Sequence, residues 1–311
     1  MEDVSFEILR KCPNNCLHCS SCSNFSCEEI FSLKKICQIV DELAELNVKR
    51  ICLSGGEPFL HPDIYSIVSH IASKEIICDI YTSGIIRDSS GYSSIPLEML
   101  RQLKTKGLHR LMFNFQSTSE SNYNTIMGTT GCYGHLLETI KNSVQCNIET
   151  ELHFVPMKLN WHEVENVIDF AQDNGILRVS FLKLVEHGRA KNNKLALNAC
   201  EEKKLKTLLN NLKKSNPIVR VGIPLNNDCQ SCLCHAVRDK LYIKYDGCVY
   251  GCEAFKYIDF PDTTPSNVND SRIKDILSFS PYICKSKNLI WEHSASSGAC
   301  PVQNYLSSKE E

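Results

Sequence analysis

An apolar strand followed at once by a cysteine-rich loop occupies residues 4–19, which read VSFEILRKCPNNCLHC. The apolar run over Val4–Leu9 predicts a β-strand. Cys12, Cys16 and Cys19 then follow as C-x3-C-x2-C. Three closely spaced thiolates on one loop can hold a polynuclear iron centre, and a cubane of four irons then keeps one iron without a protein ligand. The stretch therefore predicts an iron–sulfur site with an open position for a small molecule.

Zinc is the alternative metal for this loop. A structural zinc site needs a closed set of four ligands, and either Cys22 or Cys27 would supply the fourth thiolate. The loop by itself leaves both interpretations open, and the choice between them depends on the motifs that follow it.

The composition excludes several classes of function. The chain has 18 Cys in 311 residues, and its net charge of -2 lacks the basic excess that nucleic-acid binding requires. It has neither a secretion signal nor a run of about 18 apolar residues, so we expect a cytoplasmic protein that does not span a membrane. In that compartment, metal or redox use explains the cysteines better than disulfides do.

Short apolar runs alternate with helical patterns as far as about residue 185, which is typical of βα units around a parallel sheet. The six predicted strands are Val4–Leu9, Arg50–Leu53, Ile76–Tyr81, Leu111–Phe115, Glu149–Val155 and Val179–Val185. Capping boxes at Ser26 with Glu29 and at Asn160 with Glu163 predict the starts of two helices. The sequence thus predicts an α/β fold.

A second motif follows the second predicted strand, where residues 54–58 read SGGEP. Consecutive glycines let a ligand approach the backbone closely, and Glu57 can accept hydrogen bonds from an ammonium group. Together with C-x3-C-x2-C after the first strand, this motif closely resembles the radical S-adenosylmethionine (SAM) superfamily.

The resemblance implies a six-stranded partial (β/α)6 barrel over residues 1–190, with a small cysteine-rich C-terminal extension over residues 191–311. It implies that a [4Fe-4S] cluster on Cys12, Cys16 and Cys19 binds SAM through the amino and carboxylate groups of SAM. The residues expected around SAM lie at the C-terminal ends of strands, where βα loops build active sites. They are His18 against the adenine, Gly55, Gly56 and Glu57 at the methionyl ammonium, and Ser83, Asn114 and Gln116 at the carboxylate and ribose.

Cysteines recur in the extension. They are Cys229, Cys232, Cys234, Cys248, Cys252, Cys284 and Cys300. A hairpin around Asp246-Gly247 is expected to return Cys252 beside Cys234. This region resembles the SPASM/Twitch extension of the superfamily, which implies a second [4Fe-4S] cluster on Cys234, Cys252 and Cys300.

The fourth auxiliary ligand is less defined, because a C-x-x-C pair is usual where this chain has Ser297-Gly298-Ala299-Cys300. We assign Cys232 to it, with Cys229, Cys284 or an open position as alternatives. A zinc ribbon that includes Cys229, Cys232 and Cys252 is the alternative to a cluster.

The resemblance implies an oxidoreductase that takes an electron from flavodoxin or ferredoxin, cleaves SAM to a 5'-deoxyadenosyl radical and abstracts hydrogen from a substrate C–H bond. We expect the substrate to be a ribosomal peptide or a peptide-derived natural product under maturation. One alternative is a dehydrogenase or epimerase of aminocyclitols or sugars. Another is a non-catalytic iron–sulfur or zinc protein, which would have no need for the glycines and Glu57.

Three further residues have two interpretations each. Cys248 is expected to be a hairpin residue packed beside the second cluster, and the alternative is a hydrogen-atom donor to a substrate radical. His153 is expected to be a satisfied core histidine rather than a catalytic one. Arg189 is a candidate to bind the SAM carboxylate or the cluster hairpin.

Overall fold

Eleven strands occur in the computed structural model, which describes residues 1–226, 234–293 and 300–308. In chain order they are β1 (Asp3–Leu9), β2 (Arg50–Gly55), β3 (Ile77–Thr82), β4 (Ile85–Asp88), β5 (Gly91–Ser94), β6 (Leu108–Asn114), β7 (Glu149–Phe154), β8 (Arg178–Phe181), β9 (Val219–Val221), β10 (Lys240–Ile243) and β11 (Val249–Tyr250). Nine of them form one sheet in the order β11-β10-β1-β2-β3-β6-β7-β8-β9, and β4 and β5 form a separate hairpin. All pairings in the large sheet are parallel except that of β10 with β11.

Helices follow most of the strands, as parallel pairing requires. Those of the described ranges are α1 (Leu33–Glu45), α2 (Ile64–Ser73), α3 (Leu97–Thr105), α4 (Glu120–Met127), α5 (Tyr133–Gln145), α6 (Val164–Asp173), α7 (Arg189–Asn192), α8 (Ala199–Ser215), α9 (Ile273–Phe279), α10 (Pro281–His293) and α11 (Pro301–Ser307). Among them none is both long enough and apolar enough to cross a membrane.

The predicted α/β class and the six predicted strands are confirmed, since β1, β2, β3, β6, β7 and β8 occur side by side in that order. The predicted hairpin around Asp246-Gly247 also forms, but β10 continues the sheet by pairing with β1. The count of six is too low for this sheet. Three of its nine strands come from beyond residue 190, and the main core also includes residues beyond it. The division at residue 190 therefore stays a prediction.

Both predicted capping boxes are wrong, because their side chains bind elsewhere. Glu29 pairs with Arg10 at 2.6 Å, and helix α1 begins only after it. Asn160 donates a hydrogen bond to a backbone carbonyl in the loop after β6, and Glu163 accepts hydrogen bonds from the same loop. Long-range partners have taken the groups that a local cap would use.

Alternating side chains give the large sheet an apolar face and a polar face. The apolar face includes Phe6, Ile51, Ile80, Phe113 and Leu152, all fully buried. The polar face includes Ser5, Glu7, Arg50, Asp79, Tyr81, Arg110, Glu151, His153 and Ser180. Ion pairs cross it, among them Arg50 with Asp79 at 2.5 Å and Arg110 with Glu151 at 3.2 Å. The buried charges of this face are therefore paired, as burial requires.

The C-terminal segment packs on the same polar face. Lys256, almost fully buried, lies 3.7 Å from the Glu7 carboxylate and also donates hydrogen bonds to Ser21 and Tyr242. Ser5 donates a hydrogen bond to Glu253. The residues just after Cys252 are thereby joined to β1 and to the cysteine loop.

Candidate functional site

The cysteine loop, residues 10–27, follows β1 and brings its three predicted ligands together. Cys12 and Cys16 are buried and Cys19 is half-buried. Burial raises the pKa of the Cys12 and Cys16 thiols, and neighbouring thiolate charges raise both further. Buried thiolates this close repel one another unless a cation binds them. The donor set therefore fits an iron–sulfur cluster, in which each thiolate binds a different iron.

No group of three or more His, Cys, Asp or Glu side chains in the described ranges is arranged around a single metal ion. A zinc knuckle requires such a group, because all four of its ligands meet at one ion. The zinc alternative at Cys22 or Cys27 stays an alternative for the cysteine loop.

The end of helix α4 fixes the middle of the cysteine loop. The backbone N–H of Asn15 donates to the Met127 carbonyl at 3.1 Å, and that of Leu17 donates to the Ile126 carbonyl at 2.8 Å. Carbonyls in the last turn of a helix lack partners within the helix, so the loop satisfies them. Gly128 follows with a positive φ of 63°, and a Cβ there would lie 2.5 Å from the Asn15 carbonyl oxygen.

Arg189 clamps the same loop from the start of α7. Its Nε donates to the Cys16 carbonyl at 2.7 Å, a terminal guanidinium nitrogen donates to the Ser23 carbonyl at 2.8 Å, and its backbone N–H donates to the Cys19 carbonyl at 3.1 Å. Arg189 therefore holds the backbone of the cysteine loop, and whether it also binds the SAM carboxylate or the cluster hairpin stays a prediction.

The two glycines of residues 54–58 allow the chain's own backbone, at Leu9 and Lys11, to lie close to the end of β2. A Cβ on Gly55 would lie 2.1 Å from the Leu9 carbonyl oxygen, and one on Gly56 would lie 1.9 Å from that of Lys11. The N–H groups of Gly56 and Glu57 donate to the same two carbonyls at 2.8 Å each. The motif therefore hooks the end of β2 onto the start of the cysteine loop. The predicted contacts of Gly55 and Gly56 with the methionyl ammonium stay predictions.

Two of the predicted SAM contacts, Glu57 and Ser83, are in contact with each other in the structure. The Glu57 carboxylate is fully buried and accepts hydrogen bonds from the Thr82 hydroxyl at 2.8 Å and the Ser83 N–H at 2.7 Å, and from the Ser83 hydroxyl. Burial raises the pKa of Glu57 to about 7, although these hydrogen bonds oppose the rise. A carboxylate of such pKa is partly protonated at neutral pH. Whether SAM also contacts Glu57 and Ser83 stays a prediction.

His18 and Asn114 are also neighbours, as a shared SAM contact requires. Burial lowers the pKa of His18 to about 4, and a hydrogen bond with Asn114 opposes this shift. The His18 imidazole is therefore neutral near pH 7, and its buried Nδ1 has no hydrogen-bond partner within the described residues. Gln116 is fully buried, and its amide donates to Asn114 at 2.6 Å and accepts from Val155 N–H at 3.0 Å. The predicted contacts of Asn114 and Gln116 with the carboxylate and ribose of SAM stay predictions.

Three of the four predicted auxiliary ligands come together in the extension. Burial raises the pKa of Cys252, and the charges of Cys300 and Cys234 raise it further. Burial and Cys300 likewise raise the pKa of Cys234. All three pack against the second apolar cluster, which includes Phe255. The fourth, Cys232, lies outside the described residues.

Cys248 has one contact within the hairpin and one with a residue that follows it. Its backbone N–H donates to Asp246 at 3.1 Å, and the Asn267 amide donates to its sulfur at 3.7 Å. It packs against the second apolar cluster beside Tyr250. These contacts fit the hairpin interpretation, and the role of hydrogen-atom donor stays a prediction.

His153 is only half satisfied, unlike the core histidine that the sequence led us to expect. Its Nε2 lies 3.0 Å from the Glu151 carboxylate, and its ring packs on Tyr81 with centroids 5.2 Å apart. Its buried Nδ1 has no partner among the described residues. The sequence analysis did not identify the pair of Glu151 and His153, because two residues two positions apart in a strand indicate only that their side chains share one face of the sheet.

Comparison with known proteins identifies the family. The Radical SAM superfamily model matches residues 6–171, so the chain belongs to the radical SAM superfamily. Members of this family are enzymes that bind a [4Fe-4S] cluster and SAM.

Three curated relatives illustrate the range of similar enzymes. The PqqA peptide cyclase of Granulibacter bethesdensis is 24% identical over 58% of this chain and 47% of its own length. That of Gluconobacter oxydans is 23% identical over 92% of this chain and 78% of its own length. A GTP 3',8-cyclase of Clostridium perfringens is 22% identical over 90% of this chain and 89% of its own length. This chain thus spans about half the length of the first of these relatives.

Solved structures share the fold. SuiB of Streptococcus suis bound to S-adenosylmethionine has a TM-score of 0.74 at 16% identity, over 92% of this chain and 68% of SuiB. Native anSMEcpe with bound AdoMet has a TM-score of 0.68 at 13% identity, over 93% of this chain and 84% of that protein. At these identities the likeness concerns the fold alone.

Proposed function

We propose that this radical SAM enzyme abstracts a hydrogen atom from a C–H bond of a ribosomal peptide, or of a natural product derived from one, during its maturation. The site geometry supports the radical chemistry, because Cys12, Cys16 and Cys19 share one loop whose backbone is held by α4 and by Arg189. The peptide substrate is supported by similarity to the PqqA peptide cyclases and to SuiB, which has been solved with its precursor peptide SuiA.

The proposed site has distinct parts. Cys12, Cys16 and Cys19 would hold the [4Fe-4S] cluster. Once reduced by flavodoxin or ferredoxin, the bound cluster would supply the electron that cleaves SAM to methionine and a 5'-deoxyadenosyl radical, and this radical would take the substrate hydrogen. His18 and Asn114 would bind the adenosine of SAM, His18 through an imidazole kept neutral by burial. The backbone at Gly55 and Gly56, with Glu57 and Ser83, would bind the methionyl part. Arg189, which donates hydrogen bonds to the Cys16 and Ser23 carbonyls, would keep the cysteine ligands in place while SAM enters.

SAM cleavage tests the first site. After anaerobic reconstitution with dithionite, the wild-type chain is expected to form 5'-deoxyadenosine, and a variant with Cys12, Cys16 and Cys19 replaced by Ala is expected to form none. Undiminished cleavage in that variant would contradict the assignment. A substrate peptide deuterated at the reacting carbon is expected to transfer deuterium into 5'-deoxyadenosine.

The second proposed cluster is tested in the same variant. With Cys12, Cys16 and Cys19 replaced, about four irons and four sulfides per chain should remain, held by Cys234, Cys252 and Cys300 with Cys232 as the proposed fourth ligand. Zinc in their place would favour the ribbon, and no metal would leave the extension without a cluster. This arrangement is the SPASM/Twitch-like part of the proposal.

A small-molecule substrate is the second candidate. The observation in its favour is the alignment with a GTP 3',8-cyclase over nearly the whole of both chains. Deuterium transfer from a labelled aminocyclitol or sugar, with none from the peptide, would favour this candidate. Both candidates share the same SAM site and differ only in the molecule that gives up hydrogen.

A further inference from the structure

Tyr123 is a buried polar residue that the fold does not explain. It lies in helix α4, its side chain is fully buried, and its hydroxyl has no hydrogen-bond partner within the described residues. Buried polar groups in native proteins nearly always have a partner, so one without any calls for an explanation such as a bound water, ion or cofactor. The neighbouring Tyr133 is different, because its hydroxyl donates to the Thr118 carbonyl at 2.8 Å.

The unpartnered hydroxyl of Tyr123 lies beside the cluster ligands. The helix that carries it binds the cysteine loop through two carbonyls in its last turn. Burial raises the pKa of Tyr123, and the charges of Cys16, Cys132, Cys12 and Glu57 raise it further, so these groups lie near the phenol. Of these, Cys132 makes its own contact with the Thr130 carbonyl at 3.6 Å. The hydroxyl is therefore close to the place where the cluster would bind.

A second unpartnered side chain comes from the loop itself. Asn14 stands between Cys12 and Cys16, is 1% exposed, and has no partner for either of its amide atoms within the described residues. The Tyr123 hydroxyl and the Asn14 amide, which come from separate elements, thus both lack an acceptor among the described residues near the cysteine thiols. The sulfurs of an iron–sulfur cluster carry negative charge and accept hydrogen bonds, which are among the factors that set its reduction potential.

We propose that the Tyr123 hydroxyl donates a hydrogen bond to a sulfur of the [4Fe-4S] cluster on Cys12, Cys16 and Cys19, and thereby raises the reduction potential of that cluster. This inference rests on the proposed function, since it requires the cluster to bind there. Reduction adds one electron and makes the sulfurs more negative, so the hydrogen bond stabilises the reduced state more than the oxidised state. Tyr123 is accordingly a tuning residue, and the electron still comes from the external reductant.

The test is a redox titration of the reconstituted full chain, followed by electron paramagnetic resonance without SAM. The signal of this cluster is recognised because it changes when SAM is then added, which separates it from an auxiliary cluster. In Tyr123→Phe the equilibrium constant for reduction is expected to fall about tenfold, a shift of about 59 mV to more negative potential. Tyr133→Phe is the matched control, because it removes a neighbouring hydroxyl that already has a partner; its potential should equal that of the wild type.

A measurement on the wild-type chain complements the variant. After exchange into deuterated water, electron–nuclear double resonance should detect a strongly coupled deuteron at the reduced cluster, and Tyr123→Phe should lose it. An unchanged potential in Tyr123→Phe, or no such deuteron in the wild type, would overturn the inference. A wild-type chain that binds no SAM-responsive cluster would instead contradict the proposed function, so the two failures are distinguishable.

Discussion

Gly56→Ala tests whether the glycine motif acts as a hook for the cysteine loop. A Cβ at this position would lie 1.9 Å from the Lys11 carbonyl oxygen and 2.4 Å from that of Arg10, whereas ordinary contact begins at 3.4 Å. Both obstacles are backbone atoms, so no side-chain rotation can relieve the clash. The loop must move away from β2, and it then loses the backbone hydrogen bonds from Gly56 to Leu9 and from Glu57 to Lys11.

The cost of this change can be worked from the contacts. Overpacking by one methyl group costs about 1–3 kcal/mol, and two lost hydrogen bonds cost about 1 kcal/mol each. Displacement of the loop relieves the overpacking and costs about 2 kcal/mol for the two hydrogen bonds, against the roughly 5–15 kcal/mol that stabilises a typical domain. We therefore expect the chain to fold with its cysteine ligands out of place.

Iron content after anaerobic reconstitution measures the effect. Gly56→Ala is expected to lose the iron of the first site, about four per chain, together with SAM cleavage. Gly134→Ala is the matched control, because Gly134 lies in α5 with no atom within 4 Å of an added Cβ. That substitution should leave iron content unchanged and stabilise the helix by about 0.5–1 kcal/mol. Full iron content and wild-type SAM cleavage in Gly56→Ala would refute the hook.

Two further predictions concern buried charges of the polar face. Burial would raise the pKa of Glu151, but hydrogen bonds from His153 and Ser180 and nearby positive charges lower it to about 2, from an ordinary 4.5. Its ionised form therefore stabilises the fold above about pH 4.5, and this contribution is lost as the pH falls towards 2. The urea midpoint of unfolding should decline with falling pH less steeply in Glu151→Gln than in the wild type, and equal slopes would contradict the assignment. Lys256→Met leaves the Glu7 carboxylate buried without its cation, so unfolding free energy should fall by about 3–5 kcal/mol, whereas the double variant with Glu7→Leu should recover most of it in the same denaturation assay.

The sequence predicted those parts of the site that depend on local spacing. Three cysteines within one loop can be recognised without the fold, and so can consecutive glycines after a strand. The six strands follow from short apolar runs, because β-strands bury side chains with a regular alternation or in continuous runs. Even the hairpin around Asp246-Gly247 is a local signal, since its turn needs the positive φ of 90° found at Gly247.

Contacts between distant residues escaped the sequence analysis for a physical reason. Arg189 and Cys16 are 173 positions apart, and nothing in either neighbourhood marks them as partners. The sequence does not single out Tyr123, because an aromatic at a helical spacing is ordinary. Only its hydroxyl, which has no partner within the described residues, sets it apart. Glu29 and Glu163 show the reverse case, in which a local pattern was present and a distant partner took the side chain.

The extension is built onto the sheet rather than merely joined to it. Strand β10 pairs with β1 in parallel, so the hairpin that leads to Cys252 starts beside the strand that leads to Cys12. Directly after Cys252, Lys256 binds both Glu7 of β1 and Ser21 of the cysteine loop. A displacement of either cysteine group would strain this buried ion pair, whose separation leaves an uncompensated charge. The two proposed cluster sites are therefore held in a fixed relation by β1 and Lys256.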